Sequence, residues 1–250
     1  MRSLQRPGRS VVLAPNGMAS TSHALSTETA VNVLRNGGNA MDAAIAACAV
    51  QGVVEPESTG IGGDCFCLYS EGGSDEIIAM NGSGHAPAAL TAEWLLDQGI
   101  SEIVQHSPHA VTIPTAVDAW VQLNRDYGSK PLSDLLDPAI DYAENGFPIG
   151  QRVAADFAAS RELILRDPDM ADMYLNDGED FKFGERLTNP RLGKTMREIA
   201  ARGRNGFYKG WVAEDMVSKL NALGGVHTQA DFDNAVAEYV EPIKTNFRGY

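Results

Sequence analysis

The sequence predicts a helix-rich α/β fold, and three observations carry the prediction. The stretch Ala43–Val50 is apolar at every position, so it should form a helix buried on every side. A Gly-rich loop, STGIGG (58–63), delivers that helix into DCFCLY (64–69), which has the composition of a strand. Capped helical segments outnumber strands: there are about five strand candidates, whereas an average domain places about 20–25% of its residues in strand.

In chain order, Val11–Ala14 and Met18–Thr21 are the first strand candidates. Ser26 is placed to cap the first helix, with Glu28 in its positive first turn. Ala30, Val33 and Leu34 give that helix one apolar face, and Gly37-Gly38 stops it. Asn39 caps the second helix, with Asp42 in its first turn; the apolar run is too short to cross a bilayer. Cys65–Tyr69 and Ile77–Met80 form a hairpin around EGGSDE. Thr91 caps Ala92–Gln98, and Thr115–Tyr127 is amphipathic through Val117, Trp120, Val121 and Asn124. Asp137-Pro138 couples an N-cap to a first-turn proline, which predicts two short helices within 132–145, ended by Gly146. Asn189-Pro190 repeats the device for a helix to Ala201, stopped by Gly203. Trp211–Leu223 is helical up to Gly224-Gly225, and Val240–Phe247 turns extended, a last strand with no successor. Trp94, Trp120 and Trp211 sit at helical spacing among apolar neighbours and are assigned to the core.

Composition narrows the function classes. The chain has 250 residues, 33 acidic and 20 basic, for a formal charge of -13. Phosphate backbones need clustered Lys and Arg, so no nucleic-acid partner is expected, and the acidity serves solubility. The opening MRSLQRPGRSVVLAPNG lacks the apolar core of a secretory leader, and three cysteines (Cys48, Cys65, Cys67) make no secreted-type framework. A cytoplasmic protein without membrane attachment is expected, an altered N-terminus being the route to an exported one.

Candidate chemistry is sparse. Asn81-Gly82-Ser83-Gly84-His85-Ala86-Pro87 follows a strand and is the best pocket candidate; its Gly-rich turn needs no function, and His85 suits its rim. STGIGG has no Lys after it and runs into a strand, so it is a poor phosphate cradle and a better seat for close backbone approach. Cys65 and Cys67 share one strand face, but Pro108 prevents His106 and His109 from forming a helical pair, so no metal and no organic cofactor are expected. His23 is expected to be buried and hydrogen-bonded. No G-x-S-x-G elbow is present.

The order of segments resembles the γ-glutamyltranspeptidase family. GMASTSHALSTETAVNVLRNGGNAMDAAIAACAVQGVVEPESTGIGGDCFCLY (17–69) is similar to the family's opening. VTIPTAVDAW (111–120) resembles its second signature, and YGSKPLSDLLDPAIDYAENGFPI (127–149) its long helical hairpin. LTNPRLGKTMREIAARGRNGFYKG (187–210) and LGGVHTQADFDNAVAEYVEPIKTNFRGY (223–250) match the end of its large subunit. The resemblance implies the α/β/β/α sandwich of the N-terminal-nucleophile hydrolases, here as one helix-rich large-subunit domain over 1–250, incomplete at its C-terminus. It implies a precursor that cuts itself, a partner small subunit from that precursor, and a nucleophilic Thr beyond Tyr250. The implied reaction is hydrolysis or acyl transfer at a γ-glutamyl or related amide, such as glutathione. It places substrate contacts at Ser83, Gly84 and His85. Relatives carry an Arg-Glu pair where this chain has Ser83-Gly84, and that Arg forks onto the substrate's α-carboxylate. A serine hydroxyl in its place forfeits about 2–4 kcal/mol of charge-assisted contact, which points to the divergent, acylase-like branch. The alternatives are an acylase without γ-glutamyl head-group specificity, or an inactive large-subunit fragment that acts as a scaffold.

Overall fold

The computed structural model describes residues 11–249. The residues read for a leader fall mostly on 1–10, outside the described residues. Helix α1 (Ala24–Arg35) begins two residues before the predicted cap, because His23 Nδ1 accepts the Leu25 N–H at 3.2 Å. Ser26 therefore does not cap. It is fully buried inside the first turn and donates its hydroxyl to the Ala47 carbonyl at 2.7 Å, fastening α1 to the next helix. Gly37 takes φ +81°, and the Gly38 N–H reaches back to the Val33 carbonyl at 3.0 Å, so the predicted stop holds.

Helix α2 (Ala40–Val54) opens with the predicted cap. Asn39 Oδ1 accepts from Asp42 N–H, and the Asp42 carboxylate accepts from Asn39 N–H. Ile45, Val50, Val53 and Val54 are buried, each contributing about 1.5–3 kcal/mol. The helix is not covered all round. Ala40, Ala44 and Cys48, four residues apart, form an exposed stripe of small side chains.

Strands β1 (Cys65–Tyr69) and β2 (Ile78–Gly82) form the predicted antiparallel hairpin, with Cys67 opposite Met80. Two predicted strands are absent: 11–14 and 18–21 are irregular, since no strand among the described residues lies beside them to accept their backbone groups. Helix α3 (Ala92–Asp97) is capped by Thr91 as predicted, and the predicted amphipathic helix forms as α4 (Ala116–Tyr127), which lies against the hairpin.

Helix α5 (Leu132–Asn145) corrects a further expectation, because it is one helix with Pro138 inside it. Leu135, Leu136, Ala139, Ile140 and Ala143 bury one continuous face against α2 and α9 (Pro190–Arg202). That burial outweighs the roughly 3 kcal/mol of an interior proline. Gly146 (φ +82°) ends it, where a Cβ would meet the Leu187 carbonyl at 2.8 Å.

The chain continues through β3 (Phe147–Pro148), α6 (Gln151–Ala159), α7 (Arg161–Ile164), α8 (Pro168–Tyr174) and β4 (Arg186–Leu187), which pairs with β3. After α9 come α10 (Arg204–Tyr208), α11 (Trp211–Ala222), α12 (Gln229–Asp233) and β5 (Glu238–Val240). Strand β5 pairs antiparallel with β2, giving the order β1-β2-β5; the predicted extension to Phe247 leaves the sheet after Val240. Of the three tryptophans, only Trp120 is fully in the core; Trp94 packs its ring beside His109, and Trp211 lies under Lys194.

Candidate active site

The sheet has two unlike faces. Cys65, Cys67, Tyr69 and Met80 turn toward the helices, and Tyr69, Tyr127 and Tyr239 line up behind it at ring separations of 5.2 and 6.2 Å. The opposite face carries Phe66, 68% exposed, Leu68, 73% exposed, and Val240, with Asn81 and Glu238 at the Phe66 end. Water-facing residues on an antiparallel sheet are normally polar, so the exposed Phe66, Leu68 and Val240 mark a surface built to be covered. All three cysteines are free, and burial pushes the Cys65 thiol up to about 12, so it is no nucleophile at neutral pH.

The predicted substrate residues lie at the end of β2. The Ser83 N–H donates to Asn81 Oδ1 at 3.1 Å, a short turn that sends the chain away from the sheet. Gly84 sits at φ +73°, and a Cβ there would fall 2.0 Å from the Ile113 carbonyl oxygen. No side chain fits at 84, so the glutamate of the family pattern has no place in this turn. The Ile113 N–H donates to the His85 carbonyl at 2.8 Å, and the Ala88 N–H donates to Asp231 at 2.9 Å, which ties the turn to α12. Ser83 and Gly84 are half-buried, and His85 is exposed on the rim.

The loop 58–63 lies beside α2 rather than the sheet. A Cβ on Gly52 would stand 3.3 Å from the Gly60 Cα, so the close backbone approach expected of the loop is made to a helix. The Gly63 carbonyl accepts the Ala116 N–H at 3.1 Å, linking the loop to the start of α4. One flank of the loop borders an open cleft of about 520 Å³ lined by Ser58, Thr59, Gly62 and Asp64. The other flank borders a cleft of about 720 Å³ shared with Asn189, Lys194 and Trp211.

Two acidic residues missed in the sequence support this architecture. Asp118 is buried on α4. It accepts from Arg204 Nε at 2.8 Å, Gln122 Nε2 at 2.7 Å and the Ala237 N–H at 2.8 Å. Arg204 also donates to the carbonyls of Asp233 and Ala235, and burial pushes the hydroxyl of neighbouring Tyr208 up. This clamp sets the approach to β5. The signal was an Asp between Val117 and Ala119 on an apolar helix face. The second residue, Glu55, lies just past α2, is buried, and accepts a hydrogen bond from Ser22. His23, near Glu55, is half-buried; burial lowers its basicity and Glu55 opposes that.

A Gly-rich loop, an alanine-rich helix and a sheet open on one face fit the helix-rich part of an N-terminal-nucleophile hydrolase fold, the fold of the solved relatives reported below. The γ-glutamyltranspeptidase family model matches residues 26–250, and the chain belongs to that family. It is 34% identical over 240 residues to the Glutathione hydrolase-like YwrD proenzyme of Bacillus subtilis, covering 96% of this chain and 45% of that protein. It is 34% identical to the Oxamate amidohydrolase proenzyme of Klebsiella pneumoniae, covering 92% of this chain and 44% of that protein. Among solved structures it superposes on Helicobacter pylori γ-glutamyltranspeptidase with a TM-score of 0.89 at 32% identity, over 96% of this chain and 70% of that one. Cephalosporin acylase from Bacillus halodurans also gives 0.89, at 34% identity, over 99% of this chain and 47% of that one. The chain spans less than half the length of these two curated relatives, both of which are proenzymes.

Proposed function

We propose that this chain is the large-subunit portion of an autoprocessed enzyme that hydrolyses or transfers the acyl group of a γ-glutamyl or related amide, such as glutathione. The nucleophile is a Thr at the N-terminus of a small subunit from the same precursor. Its own α-amine, with a pKa near 7.7–8.0, takes the hydroxyl proton. The acyl carbon then bonds to the Thr oxygen as the amine leaves; water or an acceptor amine releases the product. The observation that carries the reading is the open face with exposed Phe66, Leu68 and Val240, beside the turn at the end of β2, which suits a second sheet. The free thiols of Cys48, Cys65 and Cys67 support a cytoplasmic setting. Expression from the complete reading frame, followed by mass spectrometry, tests the proposal. Two chains are expected, the smaller beginning with Thr and together hydrolysing a γ-glutamyl anilide; a single inactive chain would favour the scaffold reading.

The turn favours a second reading within the same fold, an acylase that needs no α-amino acid head group. Ser83 offers one neutral donor, and Gly84 admits no side chain. If that reading holds, Ser83→Ala leaves γ-glutamyl anilide turnover intact and free glutamate does not inhibit. A Ser83→Ala variant with sharply raised KM, together with inhibition by glutamate, would restore head-group recognition at this turn.

A further inference from the structure

Glu57 is an anomaly. Its residue is only half-buried, yet both carboxyl oxygens are closed off from solvent, and neither takes a hydrogen bond from any described residue. Its own backbone N–H approaches the carboxylate, but in a geometry too poor to count as a hydrogen bond. It faces Glu55 from the end of α2, Arg152 and Asp156 from α6, and Tyr174 from α8. The Arg152 guanidinium lies 3.5 Å from Asp156, so its charge is already shared. Glu57 also sits inside the turn that launches the glycine loop, where the amides of Ser58 and Thr59 both donate to the Glu55 carbonyl, at 3.0 and 3.1 Å. A dry carboxylate with no donor is far costlier than a dry carboxylic acid.

We infer that Glu57 is a positioning residue that holds the Ser58–Gly63 loop as a neutral carboxyl packed under the 55–59 turn, and that ionisation expels it and frees the loop. Burial raises the acid above the ordinary carboxylate value; Glu55 and Asp156 push the same way, while its own amide and Arg152 oppose. The folded state therefore binds this proton more tightly than the unfolded chain. The stabilisation is complete below the ordinary carboxylate value and is lost as pH rises toward the folded one. The inference is independent of the reaction proposed above, because the loop can be followed without substrate.

The test uses the protein expressed from its complete reading frame, as wild type, Glu57→Gln and Glu57→Met, both replacements being neutral. Amide hydrogen exchange across 58–63, corrected for intrinsic rates, is measured from pH 5 to 8. Wild-type protection is expected to fall by up to about tenfold per pH unit once Glu57 ionises. Both variants should show no such fall, and their melting temperatures should exceed the wild-type value by a margin that widens with pH. Wild-type protection that does not change with pH would overturn the inference. So would the same pH dependence in the variants. Variants less stable than wild type throughout would show instead that Glu57 is ionised and paired with a donor from the rest of the protein.

Discussion

Of the acidic residues around helix α2, Asp42 at its start and Glu57 beyond its end could hardly be treated more differently. At the start, Asp42 is fully buried but accepts from the amides of Asn39, Ser129 and Lys130 at 2.9, 2.9 and 3.2 Å, and from the Ser129 hydroxyl. Burial pushes this carboxyl up, but the hydrogen bonds from Ser129, Asn39 and Lys130 outweigh it and hold the group below the ordinary carboxylate value. Just past the end, Glu57 is shielded from water and has no hydrogen-bond donor among the described residues. Both groups have lost solvent, so burial alone does not decide the charge state. The number of N–H and O–H groups aimed at the oxygens does. Asp42 joins α2 to the 128–130 turn as an anion, and Glu57 sits under the glycine loop as an acid.

The largest expected effect comes from breaking the satisfied end. Asp42→Ala strands the donors of Asn39, Ser129 and Lys130 and should cost about 3–5 kcal/mol in a urea unfolding midpoint. A loss below 1 kcal/mol would mean that water replaces the carboxylate and that the contrast with Glu57 is one of degree. A pH titration of stability gives a smaller but sharper comparison. Because the folded pKa of Asp42 is depressed, its stabilisation is present above the ordinary carboxylate value and is lost as pH falls through the folded one. Asp42→Asn should flatten that acid limb, whereas Glu57→Gln should leave it and remove the opposite slope at higher pH. The smallest effect belongs to the surface. Arg197 forks onto Glu144 at 2.6 Å through two bonds, yet both side chains face water. Arg197→Ala should leave the unfolding midpoint within error of wild type, and a clear drop would show that exposed pairs matter more here than expected.

Local signals made much of this fold legible. Asn39 with Asp42, Thr91, and Asn189 before Pro190 each cap a helix within three or four residues, and all three are used as predicted. The failures lie where tertiary contact overrides a local preference. Pro138 was read as a break, but the buried face on both sides of it keeps α5 whole. Val11–Ala14 has strand composition, yet no strand partner lies beside it among the described residues. At the site, the turn at Ser83-Gly84 was visible, but the requirement for glycine at 84 was not, because the Ile113 carbonyl that enforces it is distant in sequence. Glu57 left no trace in the sequence, since an acidic residue beside a glycine loop is usually a solvated one.

The Asp118 clamp also orders events in time. Asp118 and the Ala237 amide that it holds are 119 residues apart, and Arg204 completes the clamp from α10. Contacts of such separation close late, after the local helices have formed, because the loop entropy must be lost before the bond is gained. During synthesis, β5 therefore cannot be locked beside β2 until the whole helical layer has emerged. Any step that needs that strand in place is held back until the layer is assembled.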